Sequence, residues 1–391
     1  MNQYYDQICA YIDQHKDEMI DQWKTLVNLE GHFDEKENVE RARDFVQKAF
    51  EMEGFQCYVH EVENDQAGVL VGILGKERPG KPIIFSGHID TVHHTGAFGK
   101  KDPFEIRDGI AYGPGVLDMK GGIILALYVV KALNSIGYQS HPLQILFAGE
   151  EEGDHIENTV DQFFLETAKG ALCAFNMETG NIENRLCVGR KTQYTIHATV
   201  HGLGGHAGNE FTKAHNAVHE AVIKCRNLME LTCLDVGTTV TISVINSGGN
   251  TNSTSIPSLS EFDVDIRVLS DEVGANALNA ANKIMQTTFV EGTTTEYRIN
   301  HAKMYPFNIN PEIQELFDLI NNTAVNHGFP PFGTICLGGA SDAGAIFKAG
   351  VPVLCSCGPI GKFNHSLQEF AVVNSLFDRA KIFATAITEL V

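Results

Sequence analysis

The fold is decided by the stretch FSGHIDTV, residues 85–92, in which a short apolar run ends in polar side chains. Residues 82–85 read Pro-Ile-Ile-Phe, which is typical of a buried strand, and His88 and Asp90 follow this run. Side chains two residues apart in a strand point to the same side, so His88 and Asp90 share a face. A histidine that binds a metal usually donates its second ring nitrogen to a carboxylate or a carbonyl. The pair is therefore compatible with a metal ligand and its orienting group, or with a structural hydrogen bond.

Length and charge narrow the classes of protein. The chain has 391 residues, more than one hydrophobic core usually supports, so we expect two domains. A net charge of -20 argues against nucleic acid or an anionic membrane as a partner, because both favour a basic surface. The first residues do not resemble a signal peptide, and no apolar run is long enough to span a bilayer. Nine cysteines without the spacing of a zinc site fit a reduced, cytoplasmic setting.

Acidic residues follow two further predicted strands. Residues 143–147 lead directly into Glu150, Glu151 and Glu152, and residues 171–176 lead into Glu178. Strands that alternate with helices predict an α/β architecture with a mostly parallel sheet. Ligands of such sheets gather at the carboxyl ends of the strands, so these glutamates are expected to lie near His88.

The pattern changes between residues 189 and 301. Residues 194–200 and 261–269 alternate apolar and polar side chains, as strands with one solvated face do, and each is followed by a predicted helix. Two helices on one face of an antiparallel sheet form an α+β sandwich. We therefore expect an α/β domain of residues 1–188 and 302–391, interrupted by an inserted domain of residues 189–301.

The candidate ligands are imidazoles and carboxylates: His88, Asp118, one of the glutamates at 150–152, Glu178 and His365. This donor set suits zinc, and also cobalt or manganese. Five ligands are too many for one tetrahedral ion with an open position, and they suit two ions bridged by a carboxylate. Two neighbouring ions can activate a water and polarise a carbonyl together. A solvated helix surface is the alternative explanation for the glutamate triplet taken alone.

Five segments resemble the M20 metallopeptidase and deacylase family, and they occur in the family's order: SGHIDTV, GPGVLDMKGG, the glutamate triplet, METG and FNHSLQEF. The resemblance covers essentially the whole chain. It implies a two-zinc catalytic domain with a mostly parallel sheet and an inserted ferredoxin-like domain that acts as a lid and dimerisation module. It therefore also implies a homodimer.

The resemblance assigns a role to each candidate ligand. His88 and Glu178 would bind one zinc, His365 would bind the other, and Asp118 would bridge the two. Asp90 would orient His88. A non-proline cis peptide bond is expected after Asp118. In the family, a glutamate at the position of Glu178 is associated with carboxypeptidases and deacylases, and an aspartate with aminopeptidases and dipeptidases.

The glutamate triplet can be aligned with the family in two ways. Alignment from the preceding strand makes Glu151 the general base and Glu152 the second ligand of the His365 zinc. Alignment from Gly153 makes Glu150 the base and Glu151 the ligand. We favour the first because the length of a strand is harder to change than the length of a loop. The base needs a pKa near the working pH, so its environment has to be tuned.

The inserted domain contributes further candidates by resemblance. His206 would stabilise the oxyanion from the partner subunit, or be an ordinary loop histidine. Arg267 would bind a substrate carboxylate, or form a local salt bridge with neighbouring aspartates. Thr254 stands where the family has an asparagine, and Asn252 is a candidate to replace it. Residues 338–342 resemble the family's glycine-rich loop near the substrate, or form a plain turn.

The expected activity is hydrolysis of an amide bond next to a free carboxylate, by a carboxypeptidase or an N-acyl-amino-acid deacylase with two zinc ions. The substrate would be a small peptide or an N-acyl amino acid. A di- or tripeptidase is one alternative. A non-catalytic binding protein on the same fold is another, and it is disfavoured because none of the ligands or the base is missing.

Overall fold

The computed structural model describes residues 3–63, 67–153, 155, 159–248, 252–301 and 304–390. The chain forms two compact units. The first comprises Met1–Gly189, Lys303–Leu337 and Ser341–Val391, and the second comprises Arg190–Ala302 and Gly338–Ala340. The division into a domain of residues 1–188 and 302–391 and an inserted domain of residues 189–301 stays a prediction.

The described residues form ten α-helices: α1 Tyr5–Gln14, α2 Lys16–Asn28, α3 Lys36–Met52, α4 Lys120–Ser135, α5 Val160–Ala168, α6 Ala217–Met229, α7 Asp271–Gln286, α8 Pro311–Asn326, α9 Ala343–Lys348 and α10 Val373–Ile387. A 3-10 turn covers Leu234–Val236.

The strands are β1 Gln56–His60, β2 Val69–Leu74, β3 Ile83–His88, β4 Glu105–Arg107, β5 Ile110–Tyr112, β6 Leu143–Ala148, β7 Cys173–Asn176, β8 Gly180–Asn181, β9 Arg185–Arg190, β10 Thr192–His201, β11 Gly205–His206, β12 Thr239–Gly248, β13 Ser255–Ile256, β14 Leu259–Val268, β15 Thr294–His301, β16 Gly333–Leu337, β17 Val353–Leu354, β18 Ile360–Lys362 and β19 Phe370–Val372.

A six-stranded sheet in the order β1-β2-β6-β3-β7-β17 forms the centre of the first unit. Strands β6, β3, β7 and β17 are parallel, and β1 and β2 add an antiparallel edge. Every residue of β3, β6 and β7 is buried, as expected for parallel strands covered on both faces. Helix α4 is apolar around most of its circumference, and its first fourteen residues are buried. The expected α/β class with a mostly parallel sheet is confirmed.

A smaller sheet in the order β4-β5-β19-β18-β8 carries the C-terminal part of the site. The loop that contains His365 joins β18 to β19, and Glu178 lies two residues before the start of β8. Parallel pairing of Ile360 with Gly180 holds these two segments side by side. Candidate ligands that are far apart in sequence therefore lie in one region of the first unit.

The second unit is an antiparallel sheet in the order β12-β14-β10-β15, packed against α6 and α7. Its core includes Ile196 and Val200 of β10 and Phe262 and Ile266 of β14, which alternate with more exposed residues. The expected α+β architecture of the inserted domain is confirmed.

One long helix was expected over residues 3–29, and the structure has two that meet at His15. The backbone N–H of His15 donates to the carbonyl of Ile12 at 3.2 Å, and its ring Nδ1 lies 2.7 Å from the carbonyl of Tyr11. The imidazole thus takes the carbonyl that a continuing helix would use. Among the described helices, none combines the length and apolarity needed to cross a membrane. All nine cysteines are free thiols.

Candidate metal centre

The ends of β3 and β7 bring His88 and Glu178 to the loop that carries Asp118. His88 Nε2 lies 3.2 Å from Asp118 Oδ1 and 3.7 Å from Glu178 Oε1. One potential ligand atom from each of the three residues lies within 4.8 Å of the others. All three residues are buried. These three donors are close enough together to hold one metal ion.

A second group shares Asp118 with the first. His365 Nε2 lies 3.1 Å from Glu152 Oε2 and 3.3 Å from Asp118 Oδ2. The amide of Asn364 donates to the same Asp118 oxygen at 3.0 Å. Each oxygen of the Asp118 carboxylate therefore faces a different histidine, which is the geometry that a bridging ligand needs.

The loop after β6 directs its glutamates differently. Glu151 Oε2 lies 3.9 Å from His88 Nε2, whereas Glu152 contacts His365. The carboxylate of Glu150 is near Gly153, where an added β-carbon would lie 2.5 Å from Glu150 Oε1. The two imidazoles are thus approached by Glu151 and Glu152, and this favours alignment of the triplet from the strand.

Asp90 connects this loop to His88. Its two carboxylate oxygens accept the backbone N–H groups of Glu151 at 3.1 Å and Glu152 at 2.9 Å. His88 Nδ1 lies 3.1 Å from the Asp90 carbonyl and 3.4 Å from its carboxylate. The expected orienting residue therefore contacts both His88 and the backbone of the glutamate loop.

The site concentrates negative charge where little water reaches it. Burial raises the pKa of Glu151 well above its usual range, and Glu178 raises it further. Burial and the Asp118 carboxylate raise the pKa of Glu152 to about 7. Burial would lower the pKa of His88, but hydrogen bonds to Asp118 and Asp90 raise it well above its usual value. Buried carboxylates in such excess over imidazoles are costly unless cations balance them.

The donor chemistry fits two divalent ions. Imidazole nitrogens and carboxylate oxygens suit zinc, cobalt or manganese. His88 and Glu178 would hold one ion, His365 and Glu152 the other, and Asp118 both. The peptide bond between Asp118 and Met119 is cis, as the resemblance implies.

Glu369 supports Asp118, and the sequence interpretation missed it. Its buried carboxylate accepts the backbone N–H groups of Leu117 at 2.8 Å, Asp118 at 2.9 Å and Gly115 at 3.2 Å. It also lies 2.9 Å from His93 Nε2. The sequence did contain a signal for Glu369, because it is an acidic residue of FNHSLQEF that lies immediately before an apolar strand.

In the second unit, His206 and Asn252 line the same cavity of about 400 Å³. His206 Nδ1 accepts the backbone N–H groups of Gly208 at 3.1 Å and Asn209 at 3.2 Å. Its proton therefore belongs on Nε2, which makes that atom a hydrogen-bond donor. Asn252 Oδ1 accepts from the backbone and hydroxyl of Thr254 at 2.9 and 2.8 Å.

Arg267 forms the local ion pair that was the alternative to substrate binding. Its Nε and Nη2 donate to the two Asp265 oxygens at 3.0 and 3.3 Å, and Nη1 donates to the Gly338 carbonyl at 2.8 Å. The guanidinium is thereby oriented, and three of its N–H groups are in use. Within residues 338–342, a second carbonyl also accepts from an arginine, because Arg190 donates to the Ala340 carbonyl at 3.1 Å.

Comparison with known proteins places the chain among metal-dependent hydrolases. The model of peptidase family M20/M25/M40 matches residues 84–389. Carboxypeptidase G2 from Pseudomonas sp. (strain RS-16) is 26% identical over 377 residues, covering 93% of this chain and 87% of that protein. Succinyl-diaminopimelate desuccinylase from Orientia tsutsugamushi (strain Ikeda) is 26% identical over 367 residues, covering 88% and 90%.

The solved structures show the same fold. The crystal structure of aminopeptidase PepT from Bacillus cereus ATCC 10987 superposes with a TM-score of 0.80 at 18% identity, covering 96% of this chain and 98% of that chain. The match of the family model spans most of the chain, including His88, Asp118, the glutamate loop, Glu178 and His365. The chain belongs to peptidase family M20/M25/M40 and is a metal-dependent hydrolase.

Proposed function

We propose that the protein hydrolyses an amide bond next to a free carboxylate, as a carboxypeptidase or an N-acyl-amino-acid deacylase. The observation that carries this proposal is the pair of ligand groups that share Asp118, with Glu151 beside them. The relatives named carboxypeptidase G2 and succinyl-diaminopimelate desuccinylase support the choice of bond and a small substrate, a peptide or an N-acyl amino acid.

We propose two zinc ions, with cobalt or manganese as alternatives. Such ions would polarise the scissile carbonyl and acidify the attacking water. His88 and Glu178 would hold one ion, His365 and Glu152 would hold the other, and Asp118 would contribute to both. Asp90 orients His88 and the backbone of the glutamate loop, so the ligands are fixed before the substrate arrives.

Glu151 is the proposed general base. Its carboxylate lies beside His88 and has no hydrogen bond to Asp90, which contacts only its backbone N–H. In the metal-free chain, burial and Glu178 raise the pKa of Glu151, whereas bound cations would lower it, and a general base needs a pKa between these extremes, near the working pH. It takes a proton from the attacking water and returns it to the leaving nitrogen. His206 Nε2–H is the proposed donor to the developing oxyanion, and Asn252 is proposed to contact the substrate.

The ion pair between Arg267 and Asp265 bears on the choice of substrate. A guanidinium that binds a substrate carboxylate must offer it two N–H groups in a fork. Three N–H groups of Arg267 are engaged with Asp265 and Gly338, so only the remaining two are left for a substrate. This observation favours a second candidate, a di- or tripeptidase that does not depend on Arg267.

The assembly is proposed to be a homodimer. In the family, the histidine at the position of His206 acts in the active site of the partner subunit. Light scattering of the purified protein tests this.

A cytoplasmic location is proposed from the nine free thiols, since oxidising compartments favour disulfides. Membership of the hydrolase family argues against the alternative of a non-catalytic binding protein.

The decisive experiment compares Glu151→Gln with Glu150→Gln in protein reconstituted with zinc. We expect Glu151→Gln to keep the metal content and lose turnover by roughly 100-fold to 10,000-fold, because general-base catalysis typically contributes that much. Glu150→Gln is the matched control and should keep most activity. If Glu150→Gln loses turnover and Glu151→Gln loses metal, the other alignment of the triplet is correct.

A screen of N-acyl amino acids and short peptides with free or amidated C-termini separates the two candidate activities. A carboxypeptidase or deacylase loses most activity on the amidated substrate, and Arg267→Ala has the same effect. A di- or tripeptidase that ignores Arg267 keeps its activity in that variant. Hydrolysis of none of these amides by the zinc-loaded protein would show that the proposed function is wrong.

A further inference from the structure

Two loops of the first unit, residues 30–35 and 91–96, are held together by their backbones. Thr91 N–H donates to the Gly31 carbonyl at 2.9 Å, and Phe33 N–H donates to the Thr91 carbonyl at 3.1 Å. The Glu30 carboxylate accepts the N–H of Gly96 at 2.8 Å. The side chains that project from these loops are therefore in fixed register with one another.

This register brings two histidines and two carboxylates together. The rings of His32 and His94 stack with their centroids 3.7 Å apart and an interplanar angle of 17°. His32 Nδ1 hydrogen-bonds to Asp34 Oδ1, and His94 Nδ1 lies 3.9 Å from the same oxygen. His94 Nδ1 is also 3.3 Å from Glu35 Oε1. The donor atoms of His32, Asp34 and His94 all lie within 4.8 Å of one another.

We propose that His32, Asp34 and His94, assisted by Glu35, bind one transition-metal ion of the Zn²⁺ type, separately from the centre built on Asp118. Two imidazoles and a carboxylate are a common donor set for this ion. Ligand bonds of about 2.0 Å place the donors of a tetrahedral site about 3.3 Å apart. The His94–Glu35 separation of 3.3 Å matches this value, and the His94–Asp34 separation of 3.9 Å has to shorten when an ion binds.

The cluster offers imidazole nitrogens and carboxylate oxygens to one ion. Binding would displace the proton of the His32–Asp34 hydrogen bond into solvent, because a ligating imidazole nitrogen carries no proton. His32 is nearly buried, with its Nδ1 directed into the cluster, and it supplies the fixed ligand.

Binding requires one local movement. The lone pairs of two parallel rings do not converge on one point, so one imidazole has to tilt out of the stack. His94 is free to tilt, because its side chain is 65% exposed. The side chain of Asp34 is 58% exposed, whereas that of His32 is only 7% exposed. The same exposure lets an ion reach the site from solvent.

The bound ion would cross-link the two loops. His93 adjoins His94 and contacts Glu369, which accepts the backbone N–H of Asp118. The proposed site is therefore one residue away from His93, which contacts the carboxylate that supports Asp118. It shares no ligand with the centre built on Asp118. It does not depend on the proposed substrate.

The test is equilibrium dialysis of metal-free protein against micromolar free Zn²⁺, followed by elemental analysis. Wild type is compared with His94→Gln and with His94→Gln/Asp34→Asn, all checked for folding by circular dichroism. His219→Gln, which removes an exposed histidine of α6, is the matched control. We expect wild type and His219→Gln to bind one more ion per chain than the two cluster variants.

A second variant separates this site from the catalytic one. His365→Gln/Glu152→Gln should lose zinc from the catalytic centre and keep the ion that depends on His94. Equal zinc content in wild type and the double cluster variant would overturn the proposal. So would an equal loss in His219→Gln, because it would mean that exposed histidines bind the extra zinc without a defined site.

Discussion

Glu369→Gln is the sharpest test of how Asp118, the proposed bridging residue, is held in place. The Glu369 carboxylate accepts three backbone N–H groups, from Gly115, Leu117 and Asp118, and faces the imidazole of His93. The substitution keeps the shape of the side chain, removes its charge and replaces one acceptor oxygen with an amide NH₂. If the remaining oxygen stays on Leu117 and Asp118, the NH₂ faces the N–H of Gly115.

The expected destabilisation follows from these contacts. Leaving one buried N–H unsatisfied costs about 1–3 kcal/mol, and the other bonds weaken because they lose a charged acceptor. We therefore expect the free energy of unfolding to fall by about 2–4 kcal/mol relative to wild type. Because Glu369 contacts the backbone of Asp118, a proposed metal ligand, zinc affinity should fall by roughly 10-fold to 100-fold.

Urea unfolding of metal-free protein measures the first effect, and zinc titration against a competing chelator measures the second. Glu315→Gln, an exposed glutamate on α8, is the matched control and should change stability by less than about 0.5 kcal/mol. If Glu369→Gln unfolds like the control and binds zinc like wild type, the carboxylate does not position Asp118.

Two further substitutions test the packing around the site. Gly87 has φ 152°, and an added β-carbon would lie 2.2 Å from Met119 Sδ. Gly87→Ala should therefore destabilise the metal-free protein by about 1–3 kcal/mol. Gly338→Ala is the control and should not destabilise it, because a β-carbon at that position meets open space. Equal urea midpoints for the two variants would contradict this. Burial would lower the pKa of His155, but the Asp342 carboxylate, 2.6 Å away, raises it to about 9. Because this pKa is raised in the folded state, the stabilisation of about 3 kcal/mol is complete below pH about 6.5 and is lost as the pH rises through about 9. The difference in unfolding free energy between wild type and His155→Gln should therefore shrink over that interval, and a constant difference would refute the ion pair.

Much of the fold could be predicted because its signals are local. The apolar runs of β3, β6 and β7 lie in one continuous stretch each, and strand ends mark the positions of His88 and Glu178. The alternation in β10 and β14 identified a sheet with one solvated face. The break at His15 was missed because one side-chain bond to the Tyr11 carbonyl outweighs an otherwise continuous helical pattern.

The candidate site was predicted less completely, because its details depend on contacts between distant segments. The motifs named the candidate ligands, but they left two alignments of the glutamate triplet. Only the folded chain shows which carboxylate approaches His88 and which approaches His365. The ion pair of Arg267 with Asp265 was one of two alternatives in the sequence, and the geometry of β14 brings the two side chains together.

The sequence by itself determined the α/β class and the chemistry of the candidate metal ligands, because periodicity and residue type are properties of short segments. Only the tertiary structure decided what surrounds those ligands. Glu369 meets Asp118 across 251 positions of sequence, and His32 meets His94 through the pairing of two separate loops. Such contacts follow from how the strands and loops pack in three dimensions, and no local pattern of residues encodes that packing.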